Sequence, residues 1–115
     1  MKIIYIAAPL GSGPDREQNR VNASKWVAWV AAQGHAPVAD WVILSGEWSE
    51  TPENRARGLA CDFALIARVD ELWLVGGRIS RGMKAEADEA IRLGKVVVDM
   101  TELGALPPIA LPEGA

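Results

Sequence analysis

The chain has 115 residues, half of them apolar, and a formal net charge of −3 at pH 7, which suits one domain with its own core. The charges are mixed, without the basic cluster that nucleic-acid binding requires, and no apolar run could span a bilayer. The apolar N-terminus is interrupted by Pro9 and Gly11, so it favours a first strand over a signal peptide. These features predict a cytoplasmic protein with a small-molecule ligand, no nucleic-acid partner and no membrane partner.

The chain contains few residues that could bind a metal or form a disulfide. The single cysteine excludes an internal disulfide, and one cysteine with one histidine argue against a zinc site. The glycine-rich loops match neither the dinucleotide-binding pattern nor a Walker loop. We therefore expect no metal, ATP or NAD.

The apolar periodicity predicts four strands alternating with three helices. Thr51 and Pro52 are typical of a helix start, and Gly34 and Gly94 of helix ends. The predicted segments in chain order are strand 2–8, loop 9–14, helix 15–33, strand 35–39, polar irregular segment 40–50, helix 52–68, strand 72–75, a helix from about 82 to 94, and strand 95–99.

This alternation predicts a parallel sheet covered by helices on both faces. A strand order of 2-1-3-4 would place the topological switch between the first and third strands, where ligands bind in open α/β sheets. We expect one domain over residues 1–103, followed by a Pro/Gly-rich tail over 104–115.

The segment from Glu71 to Glu86 is the most informative part of the chain. An apolar run is followed by Gly76 and Gly77, and then by Ser80-x-Gly82-x-x-x-Glu86 at the start of a helix. A carboxylate near the positive end of a helix is expected to stay ionised, as a nucleophile must.

Several segments carry a resemblance to a known family: Ile4-Tyr5-Ile6-Ala7-Ala8-Pro9, an asparagine in the first helix, Cys61-Asp62, Ser80-x-Gly82-x-x-x-Glu86 and Gly94-Lys95. Together they resemble the nucleoside 2-deoxyribosyltransferase-like proteins, which include deoxynucleoside 5′-monophosphate N-glycosidases and many small bacterial and phage members. The resemblance covers residues 2–99 and implies a flavodoxin-like three-layer α/β/α fold. At Ser80 the transferases carry an aspartate, whereas the monophosphate hydrolases have a serine that helps to hold phosphate.

The resemblance implies three catalytic residues. Glu86 would attack the anomeric carbon and hold the sugar covalently, Asp62 would position the nucleophile or handle protonation of the base, and Tyr5 would orient Glu86. Each has a plainer interpretation from the sequence alone. Glu86 could be an exposed first-turn residue, Asp62 a partner of Arg55 or Arg78, and Tyr5 a core residue with a bonded hydroxyl.

Six further residues are candidates for substrate binding: Ser80, Gly82, Pro9, Gly11, Asn22 and Trp41. Ser80 and Gly82 offer a hydroxyl and backbone N–H groups for phosphate or a sugar hydroxyl, and Trp41 could stack on a base. Ordinary turn chemistry, a solvated helix asparagine and a tryptophan at a subunit interface are the alternatives.

The sequence thus predicts cleavage or exchange of the N-glycosidic bond of 2′-deoxynucleosides or their 5′-monophosphates, without a cofactor. The resemblance also implies a homodimer or higher homo-oligomer, because a neighbouring subunit completes the site in the family. A non-catalytic nucleotide-binding or sensing module on the same fold is the alternative, and a purely structural protein is a further one.

Overall fold

Alternating apolar strands and amphipathic helices build a sheet that is covered on both faces. The computed structural model describes residues 1–108. The strands are β1 (Ile3–Ala7), β2 (Ala36–Val38), β3 (Glu71–Leu74) and β4 (Val96–Asp99), and the helices are α1 (Arg16–Ala32), α2 (Asp40–Glu47), α3 (Pro52–Ile66) and α4 (Arg81–Arg92). The sheet is parallel in the order β2-β1-β3-β4, which confirms the predicted flavodoxin-like α/β architecture and its order 2-1-3-4.

Strand β1 lies at the centre of the sheet and supplies both halves of the core. Its side chains alternate between the two faces: Ile4 and Ile6 pack with α1, whereas Tyr5 and Ala7 pack with α3 and α4. All four are fully buried, as the nearly continuous apolar run predicts for a central parallel strand.

The segment from residue 40 to 50 was expected to be irregular, and this expectation is wrong. Residues Asp40–Glu47 form helix α2, which begins without a side-chain cap. Contacts with the rest of the domain stabilise the helix. Val42 is buried, and the indole Nε1 of Trp41 donates to the Ile6 carbonyl oxygen at 2.9 Å. Tertiary packing therefore supplies what the local sequence signals lack.

The helix starts predicted from capping chemistry lie where expected. The Thr51 hydroxyl accepts from the backbone N–H of Asn54 at 3.1 Å, with Pro52 as the first residue of α3. Helix α4 likewise begins after Ser80, whose hydroxyl accepts from the backbone N–H of Met83 at 3.3 Å. These caps fix the first turns of the two helices that cover the Tyr5 face of the sheet.

The beginning of the predicted tail packs against the domain. The carbonyl oxygen of Ala105 accepts from the indole Nε1 of the buried Trp26 at 2.9 Å, and residues 104–108 contain no regular element. Residues 109–115 lie outside the described part of the chain. The boundary at residue 103 stays a prediction. Among the helices of residues 1–108, none is both long enough and apolar enough to cross a membrane.

The loop after β3 approaches the loop after β1 closely enough to require glycine. Gly76 has φ +98°, and a Cβ there would lie 2.6 Å from Cδ of Pro9. A left-handed backbone and a contact of this kind both exclude larger residues. The glycine therefore lets the carboxyl ends of the two central strands meet.

We expect Gly76→Ala to lower the free energy of unfolding more than Gly94→Ala does. Both glycines have positive φ, but a Cβ at Gly94 would meet nothing within 4 Å. The left-handed backbone alone should cost about 1–2 kcal/mol at either site, and displacement of the Pro9 ring should add about 1–3 kcal/mol at Gly76. Urea unfolding of both variants measures the difference. Equal losses would show that the Gly76–Pro9 contact carries no strain.

Candidate active site

The hydroxyl of Tyr5 donates a hydrogen bond to Oε2 of Glu86 inside the domain. Tyr5 is fully buried on β1, and Glu86 is only 9% exposed on α4. Burial brings the two together because α4 packs its apolar side, including Met83 and Ala87, on the face of the sheet that Tyr5 shares. The predicted proximity of these two residues is therefore present in the structure.

Asp62 joins this pair from helix α3. Asp62 is 9% exposed. Its Oδ1 atom is buried without a hydrogen-bond partner in the described part of the chain. The alternative interpretation of Asp62 was an ion pair with Arg55 or Arg78. The structure shows neither pair, because Arg55 pairs with Glu50 at 2.6 Å and Arg78 lines a different cavity. Asp62 therefore faces other acids rather than a cation.

Asp40 is the member of the site that the sequence interpretation missed. It is the first residue of α2, directly after the loop from β2, and both of its carboxylate oxygens are buried without a partner among residues 1–108. Its charge acts on Asp62, Glu86 and Tyr5. The available signal was an acid just past the carboxyl end of a parallel strand. It was not used because residues 40–50 were expected to be irregular.

Asp40, Asp62 and Glu86 form a carboxyl cluster, and burial raises the pKa of two of its members, Glu86 and Asp62. It raises the pKa of Glu86 to about 7, against a smaller lowering by the Tyr5 hydrogen bond. Burial also raises the pKa of Asp62, to about 9, and the adjacent carboxyls of Asp40 and Glu86 raise it further in the same direction. The pKa of Tyr5 is raised by burial and by the Glu86 charge, so the phenol stays protonated.

Desolvation acts against the expectation that the helix dipole keeps Glu86 ionised. Glu86 lies beyond the first turn of α4, where the dipole has largely decayed, and desolvation disfavours the charged form. Near pH 7 the Glu86 carboxyl is divided between ionised and neutral forms. Asp62 is mainly neutral at that pH.

Ser80 and Gly82 lie at the start of α4, as predicted. The Ser80 hydroxyl serves as the N-cap of the helix, and its backbone N–H contacts Sδ of Met83 at 3.3 Å. Gly82 is exposed with open space around its Cα. Both contacts are ordinary helix-start chemistry, and the phosphate or sugar role of the two residues stays a prediction.

The structure separates Pro9 and Asn22 from the carboxyl cluster. Both line a cavity of about 350 Å³ on the α1 side of the sheet, which shares no lining residue with the cluster. The remaining lining residues are Ala8, Asn19, Ala23, Trp26, Gly76, Gly77, Arg78, Gly104 and Ala105. The two amides and one guanidinium make this cavity polar at its walls, and its volume is within the range of small-molecule sites.

Gly11 and Trp41 complete the set of predicted binding residues. Gly11 is exposed in the loop after β1 with φ +73°. Trp41 is half-buried, packs into both core clusters and uses its indole N–H on the Ile6 carbonyl, so it serves the fold. Its stacking on a base stays a prediction.

The carboxyl cluster is not arranged as a metal centre. Within residues 1–108, no three histidine, cysteine, aspartate or glutamate side chains are grouped so that they could hold a metal ion. Carboxyl groups such as those of the cluster can transfer protons and act as nucleophiles.

Comparison with solved structures supports the fold. The chain is similar to the CMP N-glycosidase BcmB of Clostridium botulinum, with 16% identity, a TM-score of 0.54, and coverage of 85% of this chain and 70% of that chain. A search of curated proteins found no match. At this identity the similarity establishes the shared fold and no more.

A family model matches residues 2–100, which is nearly the whole described domain, under the description "Domain of unknown function (DUF7768)". That description gives no activity, so the resemblance to the nucleoside 2-deoxyribosyltransferase-like proteins stays a prediction beyond the shared fold. The chain belongs to the DUF7768 family.

Proposed function

We propose that the protein cleaves or exchanges the N-glycosidic bond of a nucleoside or nucleotide, with Glu86 as the nucleophile. The observation that carries the proposal is the buried carboxyl pair of Glu86 and Asp62 beside Tyr5, whose hydroxyl donates to Oε2 of Glu86. In support, burial raises the pKa of Glu86 to about 7 and that of Asp62 to about 9. Carboxyls with separated pKa values divide the roles of base or nucleophile and acid between them. Glu86 supplies the ionised form and Asp62 the neutral form.

The reaction follows the two-step logic of retaining glycosidases. The ionised Glu86 attacks the anomeric carbon, while Asp62 donates its proton to the departing base. Water or a second base then attacks the same carbon, releases the Glu86 carboxylate and returns a proton to Asp62. Tyr5 holds Oε2 of Glu86 throughout, and the surrounding acids stabilise positive charge that develops on the sugar.

Two further features support a nucleotide as the substrate. The similar fold of BcmB belongs to an enzyme named for its action on CMP. At the start of α4, the backbone N–H groups of Arg81 and Gly82 lie outside the Ser80–Met83 cap contacts and suit a phosphate. The sequence resemblance points to a 2′-deoxy sugar. The homo-oligomer and the cytoplasmic location stay predictions.

The binding-module alternative has an observation of its own. The cavity beside α1 is of ligand size but does not touch Glu86, Asp62, Asp40 or Tyr5. A molecule held only there would be out of reach of the carboxyls, and binding would leave it intact. Glu86→Ala would then leave ligand binding unchanged.

The test of the proposed function is product analysis with wild type, Glu86→Ala and the control Glu89→Gln. Glu89 lies on the same helix, but its carboxylate pairs with the exposed guanidinium of Arg92. Chromatography follows deoxynucleosides, their 5′-monophosphates and CMP, each with and without a second free base. We expect free base from wild type and Glu89→Gln, and a loss on the order of a thousandfold in Glu86→Ala. A sugar adduct on Glu86 in intact-protein mass spectra should accompany turnover.

Absence of product from every substrate, at high protein concentration, would contradict the enzyme proposal. Product from Glu86→Ala at the wild-type rate would instead contradict Glu86 as the nucleophile. A new nucleoside in the two-base reactions would identify transfer, and free base alone would identify hydrolysis.

Tyr5→Phe should slow the reaction and change its pH dependence. The phenol donates to the Glu86 carboxylate and lowers its pKa, so its loss should raise the pH at which Glu86 ionises. A hydrogen bond to a charged group is worth about 1.5–3 kcal/mol, which corresponds to a fall in kcat/KM of roughly tenfold to a hundredfold. The lower limb of the pH–rate profile should move to higher pH. If the lower limb does not move and the variant is only less stable than wild type, Tyr5 serves the packing of the core and does not act on Glu86.

The protonation of the carboxyl pair also predicts how stability depends on pH. Glu86 and Asp62 have folded-state pKa values above their ordinary ones, so the folded state binds more protons than the unfolded state between those values. The free energy of unfolding must then fall as pH rises through that interval. The lowered pKa values of Glu17, Glu71 and Asp99 act only at more acidic pH.

We expect wild type to lose unfolding free energy between about pH 5.5 and about pH 8.5, by about 2 kcal/mol from Glu86 and by a further amount of similar order from Asp62. Urea unfolding at the two pH values measures this loss. Glu86→Gln and Asp62→Asn should each reduce it, because an amide does not ionise, whereas Glu89→Gln should keep it. A wild-type stability that rises over this range would contradict the raised pKa values.

A further inference from the structure

Three buried carboxylate oxygens of the site have no hydrogen-bond partner. They are Oδ1 and Oδ2 of Asp40 and Oδ1 of Asp62, and no donor within residues 1–108 reaches them. The two carboxyl groups nevertheless lie within hydrogen-bonding reach of each other. Acceptors that are buried in this way require an explanation.

One shared proton gives a hydrogen-bond partner to one oxygen of each carboxyl, which accounts for two of the three oxygens. Ionised carboxylates only accept hydrogen bonds, so two of them placed side by side repel each other and satisfy nothing. When one of them is protonated, it donates to the other, and the pair becomes a hydrogen-bonded carboxyl–carboxylate unit. Two carboxyls that share a site hold a proton in this manner in other proteins.

No cation is available to replace the proton. The groups that act on Asp62 are Asp40 from α2, Glu86 from α4 and the Tyr5 hydroxyl from β1. Asp40 and Glu86 disfavour its charge, and the Tyr5 hydroxyl offsets this only in part. The counter-charge of the described cluster is therefore a proton.

We propose that Asp40 is a positioning residue that shares one proton with Asp62 and keeps that proton available for the departing base. The role of the shared proton in catalysis rests on the proposed function, whereas the sharing of the proton does not. The shared proton passes to the base as the bond to the anomeric carbon breaks and the Glu86–sugar bond forms. Attacking water later gives its oxygen to the anomeric carbon and one proton back to the pair, so the site returns to its starting state.

Asp40→Asn tests the role because it keeps the shape and reverses the hydrogen bond. The new amide N–H donates to Asp62 and favours its ionised form, so Asp62 should lose its proton at lower pH. We expect the upper limb of the pH–rate profile to move down by at least about one pH unit, which is about a tenfold loss of activity on that limb. The lower limb, which Glu86 sets, should move far less.

A spectroscopic measurement separates this inference from the proposed function. Infrared spectra of protein with ¹³C-labelled aspartate report the carbonyl stretch of a protonated aspartic acid near pH 8, where exposed aspartates are ionised. The band should be present in wild type, absent in Asp62→Asn, and strongly reduced in Asp40→Asn. Asp15→Asn is the matched control, since Asp15 also stands at a helix start but is exposed without a side-chain cap bond.

The outcomes are distinct. An unchanged band and an unmoved upper limb in Asp40→Asn would overturn the shared proton. A band that behaves as expected, in a protein that releases no base from any substrate, would leave the shared proton standing and overturn the proposed function. If Asp40→Asn does not fold, ¹³C NMR titration of wild-type aspartate carboxyls decides, because a shared proton requires two carboxyl carbons that titrate together.

Discussion

The Tyr5–Glu86 hydrogen bond is the contact around which the site is built. The charged groups of residues 1–108 that act on Asp62 and Glu86 are other acids, without a cation to balance them. Asp40, Asp62 and Glu86 come from three helices, and Tyr5 comes from the central strand. Because all of these carboxyls cannot be ionised together at acceptable free energy, the folded domain must hold protons there. A region with this constraint suits a step in which positive charge develops on the ligand while a proton passes to the leaving group, as in the first step of the proposed N-glycosidic cleavage.

The fold makes this arrangement possible through its central strand. Strand β1 is buried on both faces, so the side of the sheet that carries Tyr5 is closed by α3 and α4, and the opposite side by α1. Asp62 and Glu86 are carried on the two helices that close the Tyr5 side, whereas α2 brings Asp40 past the edge of the sheet. The close contact of Gly76 with Pro9 joins the two central loops at the cavity beside α1, which both residues line. The cavity beside α1 lies on the other face and contains none of the cluster residues in its lining.

Much of the fold was predictable because its signals are local. Apolar runs mark β1 and β3, periodic apolar residues mark α1, α3 and α4, and capping residues such as Thr51 and Ser80 mark helix starts. The exception, α2, has neither a side-chain cap nor a long periodic pattern, and it is held by Trp41 and Val42 against elements that are distant in sequence. The same exception concealed Asp40 as a member of the site, since an acid in an expected loop gives no reason to place it beside Asp62.

By itself, the sequence determined the strand order, the loop after β3 with its Ser80–Glu86 spacing, and the candidates Tyr5, Asp62 and Glu86. Only the tertiary structure decided which of the candidates meet: Tyr5, Asp62 and Glu86 are joined by Asp40, while Pro9 and Asn22 line a cavity elsewhere. It also showed that burial of Glu86 raises the pKa of this carboxyl, against the helix dipole near which the sequence places it. The physical reason is that periodicity and capping act over a few residues, whereas desolvation and charge–charge repulsion depend on groups that are brought together from distant parts of the chain.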